Sequence, residues 1–248
     1  MVKHQKPIRL WSAAVLLLAA LAVTLSGSGV PFSLQVFART HGVSPADYPD
    51  ELVALYKRNP DAREYVKYYP LQKNNSPEID LSGEIAQGEA PRLMQWDPRW
   101  GYRSYNENLM GLSGCGPTCM AMAAIQITGN HTLNPWEMAK FAEEHGFNVV
   151  GDGTSWSFFT EGARLLGLDS VPITPEAQRI FNNLAVGNPI VCIKGPGDFT
   201  TTGHYILLAG AENGKVRVND PNSVRNSETL WDVETIIEQA QAMWVLRK

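Results

Sequence analysis

The sequence predicts an α+β protein in which helices come first and an antiparallel sheet follows. Three observations carry this reading. Apolar residues recur at helical spacing between Pro49 and Gly187. From Pro189 the helical period gives way to the strand-like runs 189–194, 204–211 and 215–219. Only the turn Glu212-Asn213-Gly214 separates the last two runs, too little for a crossover, so those strands must run antiparallel.

Taken in order, the chain begins with a segment unlike the rest. Lys3, Lys6 and Arg9 precede an apolar run over residues 10–25, which breaks at Ser26-Gly27-Ser28-Gly29. A basic flank followed by a short hydrophobic stretch is the layout of a secretory signal. The run is shorter than the roughly 18–20 residues of a spanning helix. Val36-Phe37-Ala38 offers a cleavage point. Residues 1–38 are therefore expected to be a signal peptide or, if uncut, an N-terminal membrane anchor. Either way the body of the protein is exported, to the cell surface or beyond, and touches membrane only through this segment.

Residues 39–90 read as a helical arm and a linker. The stretch "PDELVALYKRNPDAREYVKYY" holds two short helical patterns split at Asn59-Pro60. Leu52, Leu55 and Tyr56 mark one apolar face, and Tyr65, Val66 and Tyr69 the other. Residues 71–90 are polar and aperiodic. The main domain is expected over residues 91–248.

Within it, Cys115–Thr128 reads as a helix stopped by Gly129-Asn130, apolar nearly all round and so buried on every side. Asn134-Pro135 opens a helix that Gly146 closes. Thr154 or Ser155 caps a third, ending near Gly167, and Thr174-Pro175 opens a fourth, ending at Gly187. After the strands come a helix over 233–242 and a final strand over 243–247.

The 248 residues are 44% hydrophobic and 19% charged, with a net charge of −4. These are the values of an ordinary globular protein, and the absence of a basic stripe excludes nucleic acid as a partner. Three cysteines, Cys115, Cys119 and Cys192, are too few for a disulfide framework and leave at least one thiol free. In "LSGCGPTCMAM", Cys115 lies between two glycines where a loop becomes a helix. The unpaired N–H groups of a helix start favour thiolate there. Gly114 and Gly116 permit a tight backbone approach and leave room for a substrate. Cys119, one turn on, is expected to pack as an inert thiol. The stretch alone fits a small buried Cys115 equally well.

A thiolate nucleophile needs a base, and the base needs an orienter. Of five histidines, His204 opens the apolar strand "HYILLAGA", and the hairpin returns Asp220 toward it. A two-residue Asn213-Gly214 turn would point Asp220 away from His204. A three-residue loop would make the two diagonal neighbours, roughly 7–8 Å apart between backbones. A Cys–His–Asp constellation thus predicts the longer loop, although Asp220 in "NDPNS" is equally a turn former. Gln95, in "LMQWDPRWGY", is a candidate oxyanion donor beside the Cys115 amide, on spacing that does not single it out. Trp156, in "GDGTSWSFF", either lines the cleft or packs in the core, and Trp96 and Gly203 flank the expected site residues.

The motifs Gln95-Trp96-Asp97-Pro98-Arg99-Trp100, Gly114-Cys115-Gly116-Pro117-Thr118, Gly203-His204-Tyr205 and Asn219-Asp220-Pro221, in that order, resemble stand-alone relatives of the bacteriocin-leader-processing cysteine peptidases, family C39. The similarity spans about residues 92–247, and "DYPDELVALYKRNP" resembles an arm preceding this domain in exported bacterial members. The resemblance implies a papain-like fold with Cys115 as nucleophile, His204 as base, Asp220 as orienter and Gln95 as oxyanion donor. The segment "GAENGKV" is one residue short between its glycines for a phosphate loop and has Val216 at the magnesium position, so no nucleotide is expected. Glu143-Glu144-His145 lacks a second histidine for zinc, and no cofactor is expected. The expected activity is that of an exported, monomeric thiol hydrolase acting on a peptide or isopeptide bond, with the cell wall as one source of substrate. An acyl transferase on the same residues and a non-catalytic binding module are the alternatives.

Overall fold

The computed structural model describes residues 29–86, 88–151 and 153–248. The expected targeting segment lies outside the described residues as far as Ser28. Its remainder enters the helix Phe32–Thr40, which contains Val36-Phe37-Ala38. Leu34 and Ala38 of that helix are fully buried, in a cluster with Leu52, Leu55, Tyr65 and Val66. The two arm helices follow as Asp50–Arg58 and Arg63–Gln72. They are separated where the periodicity breaks, at Asn59-Pro60. The polar stretch after them packs onto the body. Leu81 is buried in the main core, and Arg99 pairs with Glu84.

The body is built around the helix Cys115–Thr128, whose residues from Gly116 to Ile125 are all buried. A helix apolar on every side needs neighbours on every side. It has the helix Pro135–Glu144 along one flank, capped by Asn134. Two small hairpins lie near its N-terminal half. In one, β1 (Ser104–Tyr105) pairs with β2 (Asn108–Leu109); in the other, β3 (Asn148–Val149) pairs with β4 (Gly153–Thr154).

The main sheet has six antiparallel strands: β5 (Asp169–Ile173), β6 (Ile190–Lys194), β7 (His204–Glu212), β8 (Lys215–Asn219), β9 (Leu230–Trp231) and β10 (Ala240–Arg247). They lie in the order β5-β10-β6-β7-β8-β9. Successive side chains on β6 and β7 go to opposite cores. Val191, Ile193, Tyr205, Leu207 and Ala209 join the cluster of the Cys115 helix. Ile190, Cys192, Ile206 and Leu208 join one with Ile180 and Leu184 of the helix Ala177–Ala185. Cover on both faces explains why "HYILLAGA" is apolar without alternating.

Three local expectations are corrected, and one strand is added to them. The third helix is a 3-10 turn, Trp156–Phe159, and a short helix, Glu161–Leu165, broken at Thr160. The last helix stops at Glu238, and the last strand starts at Ala240, earlier than its composition suggests. Strand β5 carries Pro172, which an edge strand bonded only to β10 tolerates. Finally, the β7–β8 turn is the two-residue one. Glu212 pairs with Lys215, and Asn213 and Gly214 both have positive φ (51° and 76°). The shift by one that Asp220 needs comes instead from a bulge between Leu208 and Gly210: beyond it Leu208 pairs with Val218 and Leu207 with Asn219.

Candidate active site

The bulge returns Asp220 to the start of β7. His204 Nε2 meets Asp220 Oδ1 at 2.8 Å, and both side chains are buried. The same imidazole hydrogen-bonds the Cys115 thiol. Sequence reasoning named these three residues, and the fold brings them together.

Each charge has a physical cause. Burial opposes the Cys115 thiolate, but the hydrogen bond and the positive charge of His204 outweigh it, and the Tyr205 and Gly116 backbones add to the effect. The thiol is held below its ordinary value. Burial also opposes the His204 imidazolium, and the Asp220 charge and the hydrogen bonds to Asp220 and Cys115 reverse that, raising its pKa to about 10. Asp220 is depressed despite its burial by His204 and by two further donors. Those donors are Asn222 N–H to Oδ1 and Asn226 Nδ2 to Oδ2, each at 2.8 Å. A thiolate–imidazolium pair is the arrangement these shifts favour.

Gln95 is buried beside them, and its backbone N–H donates to Pro221 O at 2.7 Å. Its Nε2 donates to Gly111 O at 3.0 Å, which uses one of two amide protons and fixes the orientation of the group. Its Oε1 is buried without a partner. Cys115, His204 and Gln95 line a cleft of about 720 Å³ with Gly203 and the polar loop before it.

The two glycines permit the tight approach expected of them, and what approaches is protein. A Cβ on Gly114 would lie 2.5 Å from Met110 O, and one on Gly116 would lie 2.5 Å from Thr154 Oγ1. They let the helix start sit against Met110 and β4; they do not open space for substrate. Trp96 and Trp156 do not line the cleft. Trp96 packs against the arm's cluster and donates to Asn222 O at 3.4 Å, and Trp156 stands edge-on to Trp244 with 5.8 Å between ring centroids. Cys119 and Cys192 are free, buried and on opposite faces of the sheet, and burial pushes both thiols up, Cys192 to about 12. Among the described residues no three acidic, histidine or cysteine side chains converge as metal ligands.

Sequence reasoning missed Asn222 and Asn226. Their signal is faint: Asn226 sits in the five-residue helix Val224–Glu228, whose Ser223 cap and Asp220-Pro221 turn are visible in the sequence only as turn formers. It also missed the arm's turn, since Arg58, Asn59, Pro60 and Asp61 line the same cleft as Cys115.

The comparisons with known proteins lead to one family. Residues 89–248 match the model of the Peptidase C39 like family. No curated protein matches the chain. Among solved structures, the chain is similar to the peptidase domain of Streptococcus ComA, a bi-functional ABC transporter involved in a quorum sensing pathway. The identity is 20% and the TM-score 0.42, over 55% of this chain and 93% of that one. It is also similar to a putative C39-like peptidase from Bacillus anthracis, with 17% identity and a TM-score of 0.34, over 70% of this chain and 96% of that one. With a family match over most of its length and a buried cysteine-bearing helix packed on an antiparallel sheet, the chain belongs to the C39-like family of papain-like cysteine peptidases.

Proposed function

We propose that the protein is a thiol hydrolase that cleaves a peptide or isopeptide bond through Cys115, His204, Asp220 and Gln95. The observation that carries this is the continuous hydrogen-bonded series from the Cys115 thiol through His204 to Asp220, buried behind an open cleft. In the first half-reaction the Cys115 sulfur bonds to the carbonyl carbon. The oxygen takes up the negative charge, facing the Cys115 N–H and the free proton of Gln95 Nε2. His204 then gives its proton to the leaving nitrogen as the C–N bond breaks. In the second half-reaction His204 takes a proton from water, the hydroxide attacks the thioester, and the C–S bond breaks to restore the thiolate. Asp220 keeps the imidazole oriented throughout and stays ionised. Export through the N-terminal segment, and a substrate outside the cell, belong to the same reading.

The test is alkylation by iodoacetamide, mapped to each cysteine, across pH in the wild type and in His204→Ala. Labelling of Cys115 near pH 6, lost in His204→Ala, is expected, with Cys119 and Cys192 unreactive. Cys115 labelling only above about pH 8.5, as in an unperturbed thiol, overturns the reading.

A further inference from the structure

The arm before the peptidase domain reaches the cleft through its inter-helix turn, and the contacts there are specific. Asn59 Oδ1 accepts from Asp61 N–H at 3.0 Å, which fixes the amide and aims its Nδ2 at the body. That Nδ2 donates to Asn222 O at 2.6 Å and to Asn222 Oδ1 at 3.1 Å. Asp61 Oδ2 accepts from Val224 N–H at 2.9 Å. The arm thus grips both ends of the segment 222–224. From that segment Asn222 N–H donates to Asp220 Oδ1, the oxygen that also receives His204 Nε2. The turn and the site also share one cleft wall.

We propose that the turn of residues 58–61 is a positioning element of the active site: Asn59 and Asp61 set the loop that holds Asp220 against His204. The inference rests on the triad reading above. It assigns the arm, which lies before residue 89 where the family match begins, a part in the chemistry as well as in packing. The turn touches no reacting atom and acts through Asn222 and Val224. Without it, the Asp220 loop keeps its covalent connections but loses three external hydrogen bonds, and the 2.8 Å contact with His204 loosens. A looser Asp220 supports the imidazolium less well, and the imidazolium then supports the Cys115 thiolate less well.

The experiment is the pH profile of Cys115 alkylation in the full chain for Asn59→Ala, Asp61→Ala and Asp61→Asn, with melting temperature measured alongside. Tyr102→Phe is the control, because it removes a body-to-arm hydrogen bond (Tyr102 Oη to Tyr65 O, 2.8 Å) away from the cleft. Asn59→Ala and Asp61→Ala are expected to move the acid limb of labelling up by roughly half a pH unit or more. Asp61→Asn keeps an acceptor for Val224 N–H and is expected to restore most of the wild-type profile. Tyr102→Phe is expected to melt earlier with its profile unmoved. Melting changes in the alanine variants without a shift of the limb overturn the proposal and leave the triad standing. A wild type that does not label near pH 6 overturns both. Should Asn59→Ala fail to fold, the Asp61→Ala and Asp61→Asn pair decides the matter alone.

Discussion

Asn226 Nδ2 lies 2.8 Å from Asp220 Oδ2, on the carboxylate oxygen that does not meet His204. Asp220 is thereby held from both sides. Asn226→Ala removes a donor to a buried charge, an interaction worth about 1.5–3 kcal/mol. Asp220 stabilises the fold at pH values above its unfolded pKa, and that contribution is lost as pH falls through its depressed folded pKa. Without Asn226 the folded pKa rises toward the unfolded one and the interval narrows. Melting curves should show the variant below the wild type by a constant margin from about pH 7 down to about pH 4, and the two curves converging as pH falls further, because the variant has less of this contribution to lose. A margin that does not shrink on acidification would mean that Asn226 contributes nothing to that charge.

The Cys115–His204 pair has a second consequence for stability. The raised His204 contributes stability that is complete below the ordinary imidazole value of 6.5 and lost as pH rises through about 10. The lowered Cys115 contributes in the opposite sense: its share grows as pH rises toward the ordinary thiol value of 9.0. At pH values above the lowered Cys115 value and below 9.0, the folded pair holds one proton on His204 and the unfolded chain holds one on Cys115. The two slopes cancel there. Wild-type melting temperature should be nearly flat over that interval up to about pH 9, whereas Cys115→Ala exposes the histidine slope and loses stability as pH rises. Parallel curves for the two proteins would show that the proton does not reside on His204.

Gly116→Ala tests the packing of the helix start. Its Cβ would stand 2.5 Å from Thr154 Oγ1 and 2.6 Å from Thr154 Cβ. Thr154 cannot simply withdraw, because Tyr105 Oη holds its hydroxyl at 2.8 Å and its carbonyl accepts from Tyr205 Oη at 2.8 Å. Overpacking of this kind costs about 1–3 kcal/mol, a fall of several degrees in a domain of this size. Because the same strain displaces Cys115, alkylation near pH 6 should drop more than the stability loss alone explains. Normal alkylation in a variant that melts early would separate packing from chemistry.

Most of the body is legible in the sequence because its signals are local. The helix Cys115–Thr128 begins and ends where its glycines say, and Asn134-Pro135 caps its helix as expected. Cys115, His204, Asp220 and Gln95 can be named because nucleophile, base and orienter have restrictive requirements. The support around them cannot. Asn226 and Asn222 act through a tight turn, where asparagine is common for conformational reasons alone. Asn59 lies 163 residues from its partner, and no periodicity records such a contact. Trp156 reads equally as a cleft residue and as a packing residue because aromatic side chains suit both, and only the position of Trp244 separates the two. Strand β5 is hidden by a proline that its edge position makes harmless.

The bulge in β7 divides the hairpin into two independent registers. The tip, from Gly210 round to Arg217, obeys its own two-residue turn, and the base obeys the pairing that serves Asp220. Length information therefore does not travel from the tip to the site. Residues added between Asn213 and Gly214 should be absorbed in the loop, which makes this tip the natural attachment point for a fluorophore or an affinity tag. Deleting Ala209, the residue that the bulge leaves unpaired, would merge the two halves into one regular ladder, with Gly210 still opposite Arg217 and Leu208 still opposite Val218.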